Sequence, residues 1–303
     1  MESGASIISV SRAKQCAALL AVVASAAVCI ALPWRDLLSK AFVWHLHQPD
    51  TVQGGIELLA FFCGLSLAFT LIRPRRLGVA ILILIGSLYL QMHSVLVCAL
   101  AALVYLETLI GLGGLIHKAL CTRADLSRFE GYLGSFIVGT AAWTVGALIL
   151  SSLGFGTVGP LRAYTAAVLI LVLVLRPSKP LSMAVTQRLC SLGAAESTLS
   201  LFVLTLLLAQ FGKINYGIDY DSLWYGLRPE RVLIGANSFF DNLRLVNFVY
   251  YYPKQFEFLS LPLSAPGKHA FIPALNVLLL AIGFLTIFRI FRELGVHRGR
   301  SIF

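Results

Sequence analysis

The sequence predicts an all-α, polytopic membrane protein with about eight transmembrane helices and a long outer loop bearing short interfacial helices. Three observations carry that prediction. Of 303 residues, 58% are hydrophobic and 13% charged, whereas a soluble domain carries about 25% charged residues. The apolar residues come in runs of membrane-spanning length. The basic residues fall in small clusters between those runs, as the loop charges of membrane proteins do.

The spans follow in order. The first is read at 15–32, where Arg12 and Lys14 precede a small-residue apolar stretch. A signal peptide shares that pattern; an uncleaved helix is expected, because more spans follow and no clean cleavage site stands out. The second is read at 56–72. Residues 77–116 are too many for one span at ~20 residues each, and the polar break Gln91-Met92-His93-Ser94 divides them into a short third and a longer fourth helix. The fifth covers 132–153, and the sixth covers 161–175 and stops at Arg176-Pro177. The seventh covers 198–211, with a start near Leu192 left open, and the eighth covers 271–288. Gly111, Gly113, Gly114, Gly134, Ser135 and Gly139 are read as small residues that let helices approach closely. The chain thus parts into residues 1–190, with about six spans, and residues 191–303, with a span, the loop 212–268 and a further span.

Charge sets the expected orientation. With the N-terminus cytoplasmic, fifteen Lys and Arg fall in inside segments, and only Arg35, Lys40 and Arg162 fall in short outside loops. Short loops rich in Lys and Arg stay cytoplasmic, while long segments translocate largely regardless of charge. Residues 212–268 therefore face outward, and both termini face the cytoplasm. The net charge of +10 does not indicate nucleic acid, since no basic stripe or stacking platform is visible. The six cysteines form no C-x-x-C and read as small apolar residues, not as a disulfide framework or zinc site.

The loop 212–268 holds twelve aromatic residues. Tyr and Trp favour headgroup depth, so the loop is expected to lie along the membrane surface. Short helices are expected after Asp221 or Ser222 as caps, at 229–234, and at 254–261, opened by Pro253 and ended by Pro262. Asp219 and Asp221 read blandly as a helix cap beside ordinary loop charge. They read functionally as carboxylates placed to meet a lipid-linked substrate, as a general base or as ligands of a divalent metal. Arg228, Arg231 and Lys254 have the chemistry to clamp a lipid phosphate, or simply to bind anionic headgroups. Glu107, inside the fourth span, costs about 2.5–3.5 kcal/mol there on insertion scales. It is expected to face His93, His117 or a neighbouring helix, and it is the one feature that suggests transport. His45-Leu46-His47, followed by Asp50, resembles a metal fragment, but no further ligand follows at a telling spacing, and the stretch is expected at the outer interface.

The stretches "YDSLWYGLRPERVL" and "NFVYYYPKQFEFLSLPL", followed by an apolar helix and "RIFRELGV", resemble the first outer loop of the C-type glycosyltransferases. These membrane enzymes take a sugar from a polyprenyl phosphate, as protein mannosyltransferases and aminoarabinose transferases do. "RFEGYLGSFIVGTAAW" is similar to a stretch found before the core in longer members. The resemblance implies transfer of a sugar to a hydroxyl acceptor on the outer face of a bacterial inner membrane. Asp221 takes the catalytic position with Asp219 as a second acid; Tyr225, Pro253 and Glu257 fall on recurrent positions; Arg228 and Lys254 would contact donor phosphate. The metal requirement is left open. Gly226 stands where histidine is common in the family. The chain ends one span after the loop, where the family core continues, so a truncated, incomplete N-terminal portion is expected. The rival expectations are a transporter or lipid-handling protein, with paired intramembrane charges and broken helices, and a non-catalytic membrane subunit.

Overall fold

The structure is a computed structural model. It describes residues 49–72, 75–120, 129–175, 180–190, 194–215, 255–265 and 270–293. Two compact units divide the chain, Met1–Phe61 and Phe62–Phe303. The first is described over 49–61, a helical stretch in which Gln53 Nε2 donates to Glu57 Oε1 at 3.2 Å, one turn on. The expected first span and the His45-Leu46-His47 stretch lie outside the described residues.

The described residues form nine α-helices and a 3-10 turn, with no strand among them. In chain order these are α1 (Pro49–Leu71), α2 (Arg75–Met92), α3 (Leu96–Leu120), α4 (Phe129–Ser152), α5 (Val158–Leu175), α6 (Leu181–Cys190), α7 (Ala194–Lys213), α8 (Gln255–Ser260), the 3-10 turn Leu261–Leu263, and α9 (Phe271–Glu293). Four helical stretches are long and apolar enough to cross a membrane: Arg75–Met92, Leu96–Leu120, Glu130–Ser152 and Val158–Leu175. Shorter apolar stretches at Val52–Leu67, Ser200–Lys213 and Phe271–Ile287 fall on the second, seventh and eighth expected spans. Outward faces carry large apolar side chains, such as Ile83, Leu84 and Leu88 on α2 and Ile170, Leu173 and Val174 on α5. Apolar surface that extensive suits lipid and not water.

Two tight turns of the same design connect the spans. Ser94 adopts a left-handed φ of 58°, its N–H donates to the Gln91 carbonyl at 2.9 Å, and the Val95 N–H donates to the Leu90 carbonyl at 2.9 Å. This pair of backward bonds satisfies the last carbonyls of α2 and reverses the chain into α3. Val95 is fully buried and shares a cluster with Leu90, the apolar contact that accompanies such a cap. The polar break is therefore a turn, as the sequence predicts. At the end of α4 the same bonds recur: Gly154 has φ +83°, its N–H donates to Ser151, and Phe155 donates to Leu150. Pro160 and Pro273 each lie in the first turn of a helix, where no intrahelical N–H is needed.

α3 is the central helix, packed most extensively on α4 and also on α5, α9 and α2. A methyl group built on Gly113 would overlap the Ser135 carbonyl, and one on Gly139 would overlap the Leu109 carbonyl. Only hydrogen fits at this crossing, so backbone meets backbone. The small residues at 113, 135 and 139 thus do what the sequence predicts, and Gly111 leaves room for the Val172 side chain of α5. At the start of α2, Arg75 ties three elements together. Its guanidinium carbon lies 4.8 Å from the Phe69 ring centroid of α1, and its Nη1 donates to Ser197 Oγ of α7 at 3.3 Å. Arg289 of α9 pairs with Glu130 of α4.

Helix α6 is absent from the sequence prediction, and Glu107 accounts for it. Both carboxylate oxygens of Glu107 accept backbone N–H groups at the start of α6, Oε2 from Leu181 at 2.9 Å and Oε1 from Ser182 at 2.8 Å. A helix leaves its first N–H groups without internal partners and carries partial positive charge there. Two hydrogen bonds to a charged acceptor, each about 1.5–3 kcal/mol, offset the roughly 2.5–3.5 kcal/mol insertion cost of the carboxylate. The expected imidazole partners are not among these two contacts; a neighbouring helix supplies both. Glu107→Gln retains one acceptor and turns an amide NH2 toward the other N–H. The expected result is a loss of about 1.5–3 kcal/mol in unfolding free energy in detergent, with faster hydrogen exchange at the Leu181 and Ser182 amides.

Candidate functional site

The residues singled out for chemistry lie mostly outside the described residues: Asp219, Asp221, Tyr225, Arg228, Arg231 and Lys254 all do. Glu257 is described at the backbone only, within α8. The structure does define the platform from which the segment 216–254 departs and to which it returns.

At the departure, α7 ends at Lys213, and Phe211 is buried with Ile214 packed on the same cluster. Asn215 Nδ2 donates to the His93 carbonyl at 2.9 Å, fixing the chain to the α2–α3 turn. The His93 ring stacks at a tilt on Tyr89, with centroids 4.5 Å apart. A methyl on Gly212 would lie 2.6 Å from the Tyr89 hydroxyl, so glycine lets α7 pass that ring closely.

At the return, α8 runs into the 3-10 turn, as Pro253 and Pro262 predict to within a residue at each end. Its surroundings differ from the prediction. The sequence expects an interfacial helix, yet Phe258 (1% exposed), Leu261 (1%) and Ser264 (0%) are buried, together with Leu259, Ser260 and Leu263. The charges stop at Glu257, and the apolar residues after it fill the space between α3, α4 and α5. Tyr105, which receives the segment, lies nine residues into α3, roughly 13 Å along its axis.

Irregular backbone at that depth needs partners for its carbonyls, because lipid offers none. Tyr105 Oη donates to the Leu259 carbonyl at 2.7 Å. Arg162, in the first turns of α5, donates from Nε to the Pro262 carbonyl at 2.9 Å and from Nη2 to the Ser264 carbonyl. The Ser264 N–H returns to Leu261 at 3.0 Å. Trp143 of α4 is the apolar hub, fully buried. Its ring meets Tyr105 edge-on at 5.9 Å, Tyr164 at 5.9 Å and Phe258 at 6.2 Å. Its Nε1 donates to Thr165 Oγ1 at 3.1 Å, and that hydroxyl donates in turn to the Leu161 carbonyl at 2.8 Å.

Both flanks of the segment belong to one cluster: Phe211 and Ile214 before it, Phe258, Leu259, Leu261 and Leu263 after it, together with Val95 of the α2–α3 turn and Ala102 and Tyr105 of α3. The described residues on either side of 216–254 thus share one buried cluster, the departing root at the α2–α3 turn and the returning root beside Tyr105 within α3. Sequence reading did not find Tyr105, Trp143 or Arg162. The first two sit in apolar runs with no local signal, and Arg162 counted only as a loop charge. Among the described residues no group of three His, Cys, Asp or Glu side chains is placed to hold a metal. Of the cysteines described, Cys98 is buried, Cys190 half-buried and Cys63 exposed, and all three are free thiols. Compared with family models, with curated proteins and with solved structures, the chain matches none.

Proposed function

We propose that this chain is a membrane glycosyltransferase-like protein that takes a sugar from a polyprenyl-phosphate donor and delivers it to a hydroxyl acceptor at the outer face of a bacterial inner membrane. In this reading eight spans cross the bilayer, both termini are cytoplasmic, and residues 212–268 lie on the periplasmic or extracellular side. Asp221 is the general base or metal-linked acid, with Asp219 beside it. Tyr225, Arg228, Lys254 and Glu257 contact the donor, the cations at its phosphate.

The observation that carries the reading is the closure of the loop. An acidic, aromatic segment has both its roots held in one buried cluster, with the departing root bonded to His93 and the returning root bonded to Tyr105 and Arg162. In this reading the carboxylates of that segment work near headgroup depth, where a lipid-borne phosphate also sits. The feature that suggested transport weighs the other way. Glu107 gives both oxygens to the first N–H groups of α6, the arrangement of a helix cap, which supports a structural part for this carboxylate. The test is transfer by the purified chain in vesicles that contain a radiolabelled polyprenyl-phosphate sugar and a lipid hydroxyl acceptor. Labelled acceptor supports the reading; donor left intact across a panel of such sugars removes it.

A further inference from the structure

We propose that Arg75 and Arg76, together with the apolar stripe that runs from them along α2, seat an anionic phospholipid. Neither residue takes part in the proposed sugar transfer, so either reading can fail without the other.

The other Lys and Arg whose side chains are described are each accommodated by the protein itself. Lys118 and Lys213 lie in the last turns of α3 and α7, where the helix dipole favours positive charge. Arg289 has Glu130 as its counter-ion, and Arg162 donates to two carbonyls. Arg75 and Arg76 are different. They are the first two residues of α2, at the positive end of its dipole, and no acidic residue shares that turn. Arg75 has only neutral partners, the Phe69 ring and the Ser197 hydroxyl. Arg76 is exposed and makes no hydrogen bond or ion pair. Two adjacent like charges at that end of a helix call for an anion, and none of the described side chains supplies one.

The surface beside the pair is apolar. Leu77 follows directly, and Ile83, Leu84 and Leu88 continue the outward face, each more than half exposed. From Leu77 to Leu88 the stripe runs about 17 Å at 1.5 Å per residue, close to half of the ~30 Å hydrocarbon core. A cationic seat at the end of an apolar stripe one leaflet deep matches an amphiphile, with its phosphate on the guanidinium groups and its chain along the helix. A free phosphate would use the arginines and leave the stripe uncovered. The seat is also preorganised. The Arg75 guanidinium carbon lies 4.8 Å from the centroid of the Phe69 ring, which is itself buried, and Nη1 is held 3.3 Å from Ser197 Oγ. These contacts orient the fork while using one of its five N–H groups. The remaining donors can meet phosphate oxygens in pairs, as a planar guanidinium does. In the orientation that the charge pattern predicts, α2 starts at the cytoplasmic leaflet, where anionic headgroups and basic residues attract.

The experiment uses the full chain in a neutral detergent, with bound lipid counted by native mass spectrometry. Dioleoyl phosphatidylglycerol and dioleoyl phosphatidylcholine share their chains and differ in net headgroup charge. The wild type is expected to bind the first about tenfold more tightly; equal affinities overturn the proposal. Arg76→Gln, at an exposed residue with no partner to lose, is expected to keep its melting temperature and to bind phosphatidylglycerol about fivefold more weakly, the worth of one basic residue beside an anionic lipid. Arg76→Lys keeps the charge and should stay within about twofold of the wild type. Phosphatidylglycerol binding that is unchanged in both Arg76→Gln and Arg75→Gln places the charge preference elsewhere and overturns the seat. Inorganic phosphate distinguishes the two sources of the anion. Added in excess, it is expected to leave the lipid in place. If it displaces the lipid, the arginines hold free phosphate, the apolar stripe has no part in binding, and the proposal falls.

Discussion

An Asp221→Asn chain is expected to insert and fold as the parent does while transferring sugar about 10²–10⁴-fold more slowly, the range that a positioned general base contributes. Asn keeps the size and hydrogen-bonding shape of the side chain and removes its capacity to accept the acceptor's proton. A residue that merely capped a local helix would behave differently, because Asn caps as well as Asp. The substitution therefore separates the bland reading of this aspartate from the chemical one. Activity retained within threefold assigns the side chain to capping. The two chemical roles separate as well. A base leaves the wild-type rate unchanged on chelation, whereas an acid that holds a divalent ion against the phosphate loses its activity when the ion is removed. Asp219→Asn is expected to have the smaller effect of the pair.

The second large effect is on the fold. Gly139→Val is expected to prevent recovery of folded protein or to lower its unfolding free energy by about 3 kcal/mol, the upper end of ordinary overpacking. The reason is the identity of the obstructing atoms. A side chain at 139 would run into the Leu109 carbonyl and approach the Gly113 backbone nitrogen. A flexible side chain can swing aside from such a collision; a helical carbonyl cannot move without its helix. Since α3 is the helix on which α4, α5 and α9 all pack, separating α3 from α4 would also disturb the pocket between them that receives Phe258 and Leu259. Gly134→Ala is the matched control. A methyl there meets only the His117 ring at 3.5 Å, an ordinary contact, and the melting temperature in detergent should change little.

Four helices of membrane-spanning length were legible, because a bilayer imposes a length and a composition that few other environments do. The division at Gln91–Ser94 was legible for the same reason, since four polar or flexible residues inside forty apolar-rich ones mark a turn. The close crossing at Gly113 and Gly139 was legible as a pattern of small residues. Helix α6 was not. Its ten residues are too few and too mixed to announce a span, and the carboxylate that caps it lies 74 positions earlier in the chain. The burial of residues 258–264 escaped for a related reason. Read locally, "QFEFLSLPL" is a plausible surface helix. What draws it inward is a hydroxyl 154 positions away and a guanidinium 100 positions away. Contacts of that range leave no trace in local periodicity. For the site the balance is reversed. Asp219, Asp221 and Arg228 were conspicuous in the sequence as polar residues in an apolar chain, while the platform that holds their segment, Tyr105, Trp143 and Arg162, became visible only in three dimensions.

The central claim is that the acidic-aromatic segment is carried on the non-cytoplasmic surface of the membrane. The most direct measurement replaces Asp221 with cysteine in a chain stripped of its other thiols and offers a membrane-impermeant maleimide to sealed vesicles of known orientation, from each side in turn. Modification from the outer side, with none from the cytoplasmic side until the vesicles are opened, is the predicted result. Modification from the cytoplasmic side alone would contradict the account, because the carboxylates would then stand on the wrong side of the bilayer from the proposed donor and acceptor.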